Sequence, residues 1–101
     1  MYMKHIEYPG LLEWRNEKRD FQLIDVREVS EHENFNIGGL NIPLGDVLKG
    51  SNELDLSKPI VFYCKRGIRS RIAIQKLEMR KTKGDFYNLN KGIVMMEKNL
   101  K

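Results

Sequence analysis

The chain holds a single cysteine, Cys64, followed by Lys65, Arg66, Gly67, Ile68, Arg69 and Ser70. A thiol attacks as its thiolate, and two features of this segment favour that form. Lys65, Arg66, Arg69 and Arg71 place four cations within seven residues of the sulfur, and no carboxylate stands between Cys64 and Ile74. The apolar run Ile60-Val61-Phe62-Tyr63 precedes the cysteine and a helical pattern begins at about Arg69, so the loop amides converge on a helix N-terminus, a cradle for negative charge. Gly67 permits a loop conformation that a side chain would resist. This pattern suits covalent catalysis by a cysteine that needs no separate general base. The plain alternative is a small buried hydrophobe at a strand end, with an inert thiol.

Several elements must position that loop. Tyr2 to Ile6 reads as a short strand, and Pro9 to about Glu17, with Leu11, Leu12 and Trp14 among charges, as an amphipathic helix opened by proline. Phe21 to Val26 reads as a buried strand. Ser30 and Glu33 resemble a capping box, which predicts a short helix from about Glu31 until Asn36, Gly38 and Gly39 break it. Leu40 to Ile42 is a short strand stopped by Pro43, Leu44 to Leu48 a helical turn, and Gly50, Ser51 and Asn52 a polar loop. Ile60 to Tyr63 has the continuous apolarity of a strand buried on both faces. The helix after the cysteine is expected from about Arg69 to Lys83, with Ala73, Ile74 and Leu77 inward and Gly84 as its stop. Phe86 to Leu89 completes the strands, and Ile93 to about Leu100 forms a last helix with Met95 and Met96 beneath it in the core. Alternating strands and helices argue for an α/β domain with a mainly parallel sheet.

The 101 residues suit one domain, spanning 1–101. A hydrophobic share of 41% and a charged share of 32% are those of a soluble globular chain. No stretch has the length of a signal peptide or of a membrane span, so a cytoplasmic protein is expected. One cysteine excludes an internal disulfide, a multi-cysteine zinc site and an internal resolving thiol. His5 and His32 lack metal-ligand spacing with each other or with Cys64, so no metal or cofactor is expected. The net charge of +4 is unevenly placed: residues 64–101 carry 11 basic and 3 acidic side chains, against 7 and 11 before them. Such asymmetry focuses a field on small anions or marks a nucleic-acid face. No aromatic platform or reader motif accompanies the basic helix, so nucleic acid is not an expected partner.

LIDVRE at Leu23 to Glu28, NIPL at Asn41 to Leu44, the CKRGIRS loop and YNLNKGI at Tyr87 to Ile93 resemble, in that order, the rhodanese homology domain. The likeness covers about residues 20–95. It implies a rhodanese-like α/β fold, a mainly parallel five-stranded sheet flanked by helices on both faces. It also implies a sulfurtransferase whose catalytic cysteine, Cys64, carries a persulfide, with Lys65 to Ser70 as its cradle. Asp25 and Arg27 match the family's Asp-x-Arg and are expected to support structure as a pair. Four residues separate Cys64 from Arg69, whereas cysteine phosphatases place five there, which sets phosphatase chemistry aside. The chain departs from the family pattern at Phe35-Asn36-Ile37-Gly38-Gly39-Leu40, at Lys91-Gly92 where a glycine pair is usual, and near Met96 where a tryptophan is customary.

The expected reaction has two halves. A small sulfur-containing anion such as thiosulfate, or a persulfide, donates sulfur to Cys64, and an acceptor thiol, cyanide or a sulfur-accepting protein removes it. Arg69, with Lys65 and Arg66, would attract the donor. The second reading is a docking or sulfur-relay module that binds an acidic partner through Lys76, Arg80, Lys81 and Lys83.

Overall fold

The computed structural model describes residues 3–99. Five strands, β1 (Lys4–Ile6), β2 (Gln22–Asp25), β3 (Leu40–Asn41), β4 (Ile60–Tyr63) and β5 (Phe86–Leu89), form one sheet in the order β1-β5-β4-β2-β3. All four pairings are parallel, with Leu23 opposite Val61 and Phe62 opposite Asn88. The helices are α1 (Tyr8–Asn16), α2 (Val29–Asn34), α3 (Ile68–Met79) and α4 (Val94–Asn99). The Tyr2 end of the first expected strand and the Leu100 end of the last helix lie outside the described residues.

β4 is buried along its whole length because both faces of the sheet are covered. Ile60, Phe62 and Cys64 point to one face, where Ala73, Ile74 and Leu77 of α3 meet Ile24, Val26, Val47 and Phe86. Val61 and Tyr63 point to the other, where Leu11 of α1 packs with Leu23, Leu89 and Ile93. Trp14 joins this second cluster edge-on to Phe21 and Tyr87, at centroid distances of 5.4 and 5.1 Å. Side-chain direction alternates along the strand, as it must on a pleated sheet, while every position stays buried.

Three expectations need correction. The α2 capping box is formed by Glu28 and Glu31, two residues before the Ser30/Glu33 pair, and the Glu28 amide donates to Glu31 Oε1 at 3.1 Å. The chain already turns at the end of β2, so the helix starts at Val29 with Glu28 as its N-cap, ahead of the expected start. α3 stops at Met79, well before Gly84. Lys81 takes the left-handed conformation at φ 59°, and the Thr82 and Lys81 amides bond the carbonyls of Leu77 and Glu78, a cap that closes the helix without glycine. Met95 is 61% exposed, whereas Met96 packs against the second cluster. Adjacent residues on a short helix point about 100° apart, so both could not enter the core. The expected polar loop also contains a short 3-10 turn, Ser51–Glu53.

Candidate functional site

Cys64 follows the last residue of β4, at the carboxyl edge of the parallel sheet, where this fold type opens its crevices. Gly67 is the N-cap of α3 and is left-handed at φ 86°. That conformation turns the Gly67 amide onto Cys64 Sγ at 3.1 Å. The Ser70 amide, in the first turn of α3, approaches the same sulfur at 3.4 Å. Among the described residues these are the loop amides that reach Sγ, fewer than the whole run from Lys65 to Ser70. The Ser70 hydroxyl lies 3.4 Å from Sγ and donates to Asn88 Oδ1 on β5. Ser70 and Asn88 are both buried.

The far side of the loop is tied to the start of α4. The Ile93 amide bonds the carbonyls of Cys64 and Lys65 at 3.1 and 3.0 Å, and the Val94 amide bonds that of Lys65 at 2.9 Å. Gly92, at φ 63°, makes this approach possible: a Cβ there would fall 2.4 Å from the Cys64 and Lys65 carbonyl oxygens.

Cys64 is itself 1% exposed, at the base of a depression of about 220 Å³ lined by Cys64, Lys65, Arg66, Ile68 and Arg69. The loop therefore brings its expected cations to one opening. Arg66 is exposed and Lys65 half-buried. Arg69 stands differently: its guanidinium makes a two-pronged pair with Glu31 of α2, NH1 to Oε1 at 2.6 Å and NH2 to Oε2 at 3.0 Å. The Arg69 hydrogen bond holds the Glu31 carboxyl at about 2, well below its ordinary 4.5. The same bond raises Arg69 above its ordinary value.

Asp25 and Arg27 lie at the end of the neighbouring strand, wholly buried. Asp25 Oδ1 accepts from the Arg27 amide and Nε, each at 3.0 Å, and Oδ2 from Arg27 NH2 at 2.8 Å. His32 Nδ1 is 2.8 Å from the same Oδ2. Burial works against the Arg27 charge, but the bonds and charge of Asp25 outweigh it and raise its pKa. Arg27 also donates to the Phe35 carbonyl, and Asn41 Nδ2 bonds the Asp25 and Arg27 carbonyls at 3.0 and 2.9 Å. Tyr63 OH donates to the Gly38 carbonyl at 2.8 Å. Burial, reinforced by the Asp25 charge, pushes that phenol up to about 12. This network joins β2, β3, β4 and the segment after α2, beside the cysteine loop rather than in contact with the sulfur. His5, on the edge strand, lies 3.2 Å from Asn88 Nδ2 through its Nδ1.

Sequence reading passed over Glu31, Asn88 and the part played by Gly92. Glu31 lies 38 residues from Arg69, and the displaced capping-box assignment concealed its position. Asn88 sits inside a strand, where a buried asparagine carries no chemical signature until its partner is seen. Gly92 had a signal, the family's glycine pair, but the contact that needs it is tertiary.

A sheet, loop and helix of this kind define a class of cysteine-bearing parallel α/β domains. The family model described as Rhodanese-like domain matches residues 9–98. The chain belongs to the rhodanese-like domain family. It is 41% identical over 81 residues to the protein YqhL of Bacillus subtilis (strain 168), covering 79% of this chain and 64% of that one. A second protein of that organism, YrkF, named as a candidate sulfur carrier protein, is 40% identical over 57 residues, covering 55% of this chain and 31% of its own. The chain thus spans less than two thirds of the length of these curated relatives. The fold matches that of a rhodanese-like domain protein from Staphylococcus aureus with a TM-score of 0.80 at 24% identity, over 90% of this chain and 88% of the other. Among the described residues no helix is long and apolar enough to cross a membrane.

Proposed function

We propose that the chain, as one domain over residues 1–101, is a sulfurtransferase in which Cys64 carries a sulfane sulfur as a persulfide. The observation that carries this reading is the sulfur held between the Gly67 and Ser70 amides at the base of a cation-lined opening. Amides aimed at Sγ suit a thiolate and then a terminal persulfide sulfur, both of which carry negative charge where water is excluded. A 220 Å³ opening is in scale with a small sulfur-containing anion rather than a large ligand.

In the first half-reaction the Cys64 thiolate attacks the outer sulfur of thiosulfate. The sulfur–sulfur bond breaks and sulfite leaves with the electron pair. A persulfide donor reacts likewise, its thiolate leaving. In the second half, cyanide or an acceptor thiolate takes the terminal sulfur, yielding thiocyanate or a new persulfide and returning the Cys64 thiolate. Lys65, Arg66 and Arg69 form the cationic rim, while Asp25 and Arg27 hold the strand ends that carry the loop. The acceptor we favour is a thiol, on a small molecule or a sulfur-accepting protein, because the chain supplies no second cysteine. We place the reaction in the cytoplasm, where a solitary thiol stays reduced.

A docking or sulfur-relay module is the second reading. The outward face of α3 favours it, where exposed Ile72 and Met79 adjoin Lys76 and Arg80. Intact mass after incubation with thiosulfate, and separately with a persulfide donor, distinguishes the two. The expected result is a gain of one sulfur atom that is absent in Cys64→Ser and is discharged by cyanide as thiocyanate. A reactive thiol that takes sulfur from neither donor refutes the sulfurtransferase reading and leaves the docking module.

A further inference from the structure

The opening above Cys64 is rimmed by three cations in the sequence, but its effective charge is set elsewhere in the fold. Arg69 is about a third exposed at the rim, and Glu31 occupies both arms of its guanidinium. A two-pronged carboxylate uses the planar donor fork that would otherwise meet an incoming anion. Glu31 is held from behind as well, because its Oε1 accepts the Glu28 amide at the start of α2. The acid is therefore part of a helix cap and is poorly placed to swing away. Near the sulfur, a formal +1 from Arg69 is offset by the −1 of Glu31.

We infer that Glu31 is a specificity-determining residue that, by engaging Arg69, lowers the preference of the Cys64 opening for anionic reagents and favours donors of low charge. This rests on the reading of Cys64 as the sulfur-carrying nucleophile, and it narrows the donor class from small dianions such as thiosulfate towards persulfides with an uncharged tail. Glu31 acts through Arg69 and is a positioning residue rather than a catalytic one.

Four chains test this: wild type, Glu31→Gln, Arg69→Gln and the double variant. Glutamine at position 31 can still accept the Glu28 amide, so the cap survives while the charge goes. The readout is the ratio of Cys64 alkylation rates by iodoacetate, an anion, and iodoacetamide, its neutral analogue. Changes in thiolate population affect both reagents and cancel in the ratio. Glu31→Gln raises the ratio about three- to tenfold at low salt, as expected for one charge added near a partly exposed site, and the gain shrinks as salt rises. Arg69→Gln leaves Glu31 unopposed and lowers the ratio below wild type, while the double variant returns close to it. A ratio unchanged or lowered in Glu31→Gln, or not lowered in Arg69→Gln, overturns the inference.

With donors, Glu31→Gln raises kcat/KM for thiosulfate by a similar factor, chiefly through KM, and moves that for a neutral-tailed alkyl persulfide by less than about twofold. A loss on both donors assigns Glu31 to structure alone and overturns the inference. If neither donor loads sulfur on any chain, the sulfurtransferase reading fails, and the alkylation ratios still decide the role of Glu31.

Discussion

Replacing Asp25 by asparagine removes one charge from a fully buried pair with almost no change of shape. The carboxylate accepts the Arg27 amide, Nε and NH2 and lies 2.8 Å from His32 Nδ1. An amide offers one oxygen to these groups, and its NH2 faces Arg27 NH2 and His32 Nδ1. The Arg27 guanidinium, 1% exposed, then remains in the interior without its counter-charge. Breaking a buried pair in this way costs about 3–5 kcal/mol, and the retained oxygen puts Asp25→Asn near about 3 kcal/mol. For a domain whose total stability is of order 5–15 kcal/mol, that is a large fraction. Urea unfolding followed by circular dichroism should show the midpoint falling by about 1–2 M at an m of about 1.5–3 kcal/mol/M. Adding Arg27→Met removes the stranded charge, so the double variant should be at least about 2 kcal/mol more stable than the sum of the two single losses. Alkylation of Cys64 by neutral iodoacetamide in the folded protein should stay within about twofold of wild type, because the amides that hold the sulfur come from Gly67 and Ser70 and not from this pair. A loss below about 1 kcal/mol, or additive losses, would refute the claim that this pair ties the strand ends together.

The acid side of the stability profile follows from Glu31. Its folded value of about 2 lies below the ordinary 4.5, so its contribution is complete above pH 4.5 and is lost as pH falls towards 2. The shift alone would correspond to about 3 kcal/mol, but the pair is about a third exposed and screened, so about 1 kcal/mol is expected. Glu31→Gln should flatten the profile in that window, as read by urea midpoints, and a profile parallel to wild type would count against the pair. Lys91 and Gly92 should respond in opposite directions in thermal unfolding. Lys91 is left-handed at φ 65°, so Lys91→Gly should stabilise by about 0.5–1 kcal/mol. Gly92→Ala meets the Cys64 and Lys65 carbonyls and should cost about 2–4 kcal/mol. A neutral Gly92→Ala would mean that the loop does not need its close approach to α4.

Local pattern carried much of the architecture. The apolar run of β4 announced a strand buried on both faces, because no other position in a parallel sheet removes four successive side chains from water. Cys64, Gly67 and the onset of α3 were legible because a strand, a tight turn and a helix are each specified by neighbours in the chain. Helix ends were less so: the α3 stop depends on a left-handed Lys81, and lysine does not advertise that conformation as glycine does. The cationic count around the sulfur was legible, but its net effect was not. Arg69 reads as a free charge in the sequence, and only the folded chain brings Glu31 of α2 onto it from 38 residues away. The same holds for Ser70 with Asn88 and for Gly92 beneath the loop. Chain-local forces determined which residues could do chemistry. The tertiary structure decided which charges face the sulfur and which are already paired, because Coulomb and hydrogen-bond energies depend on distance in space rather than on separation along the chain.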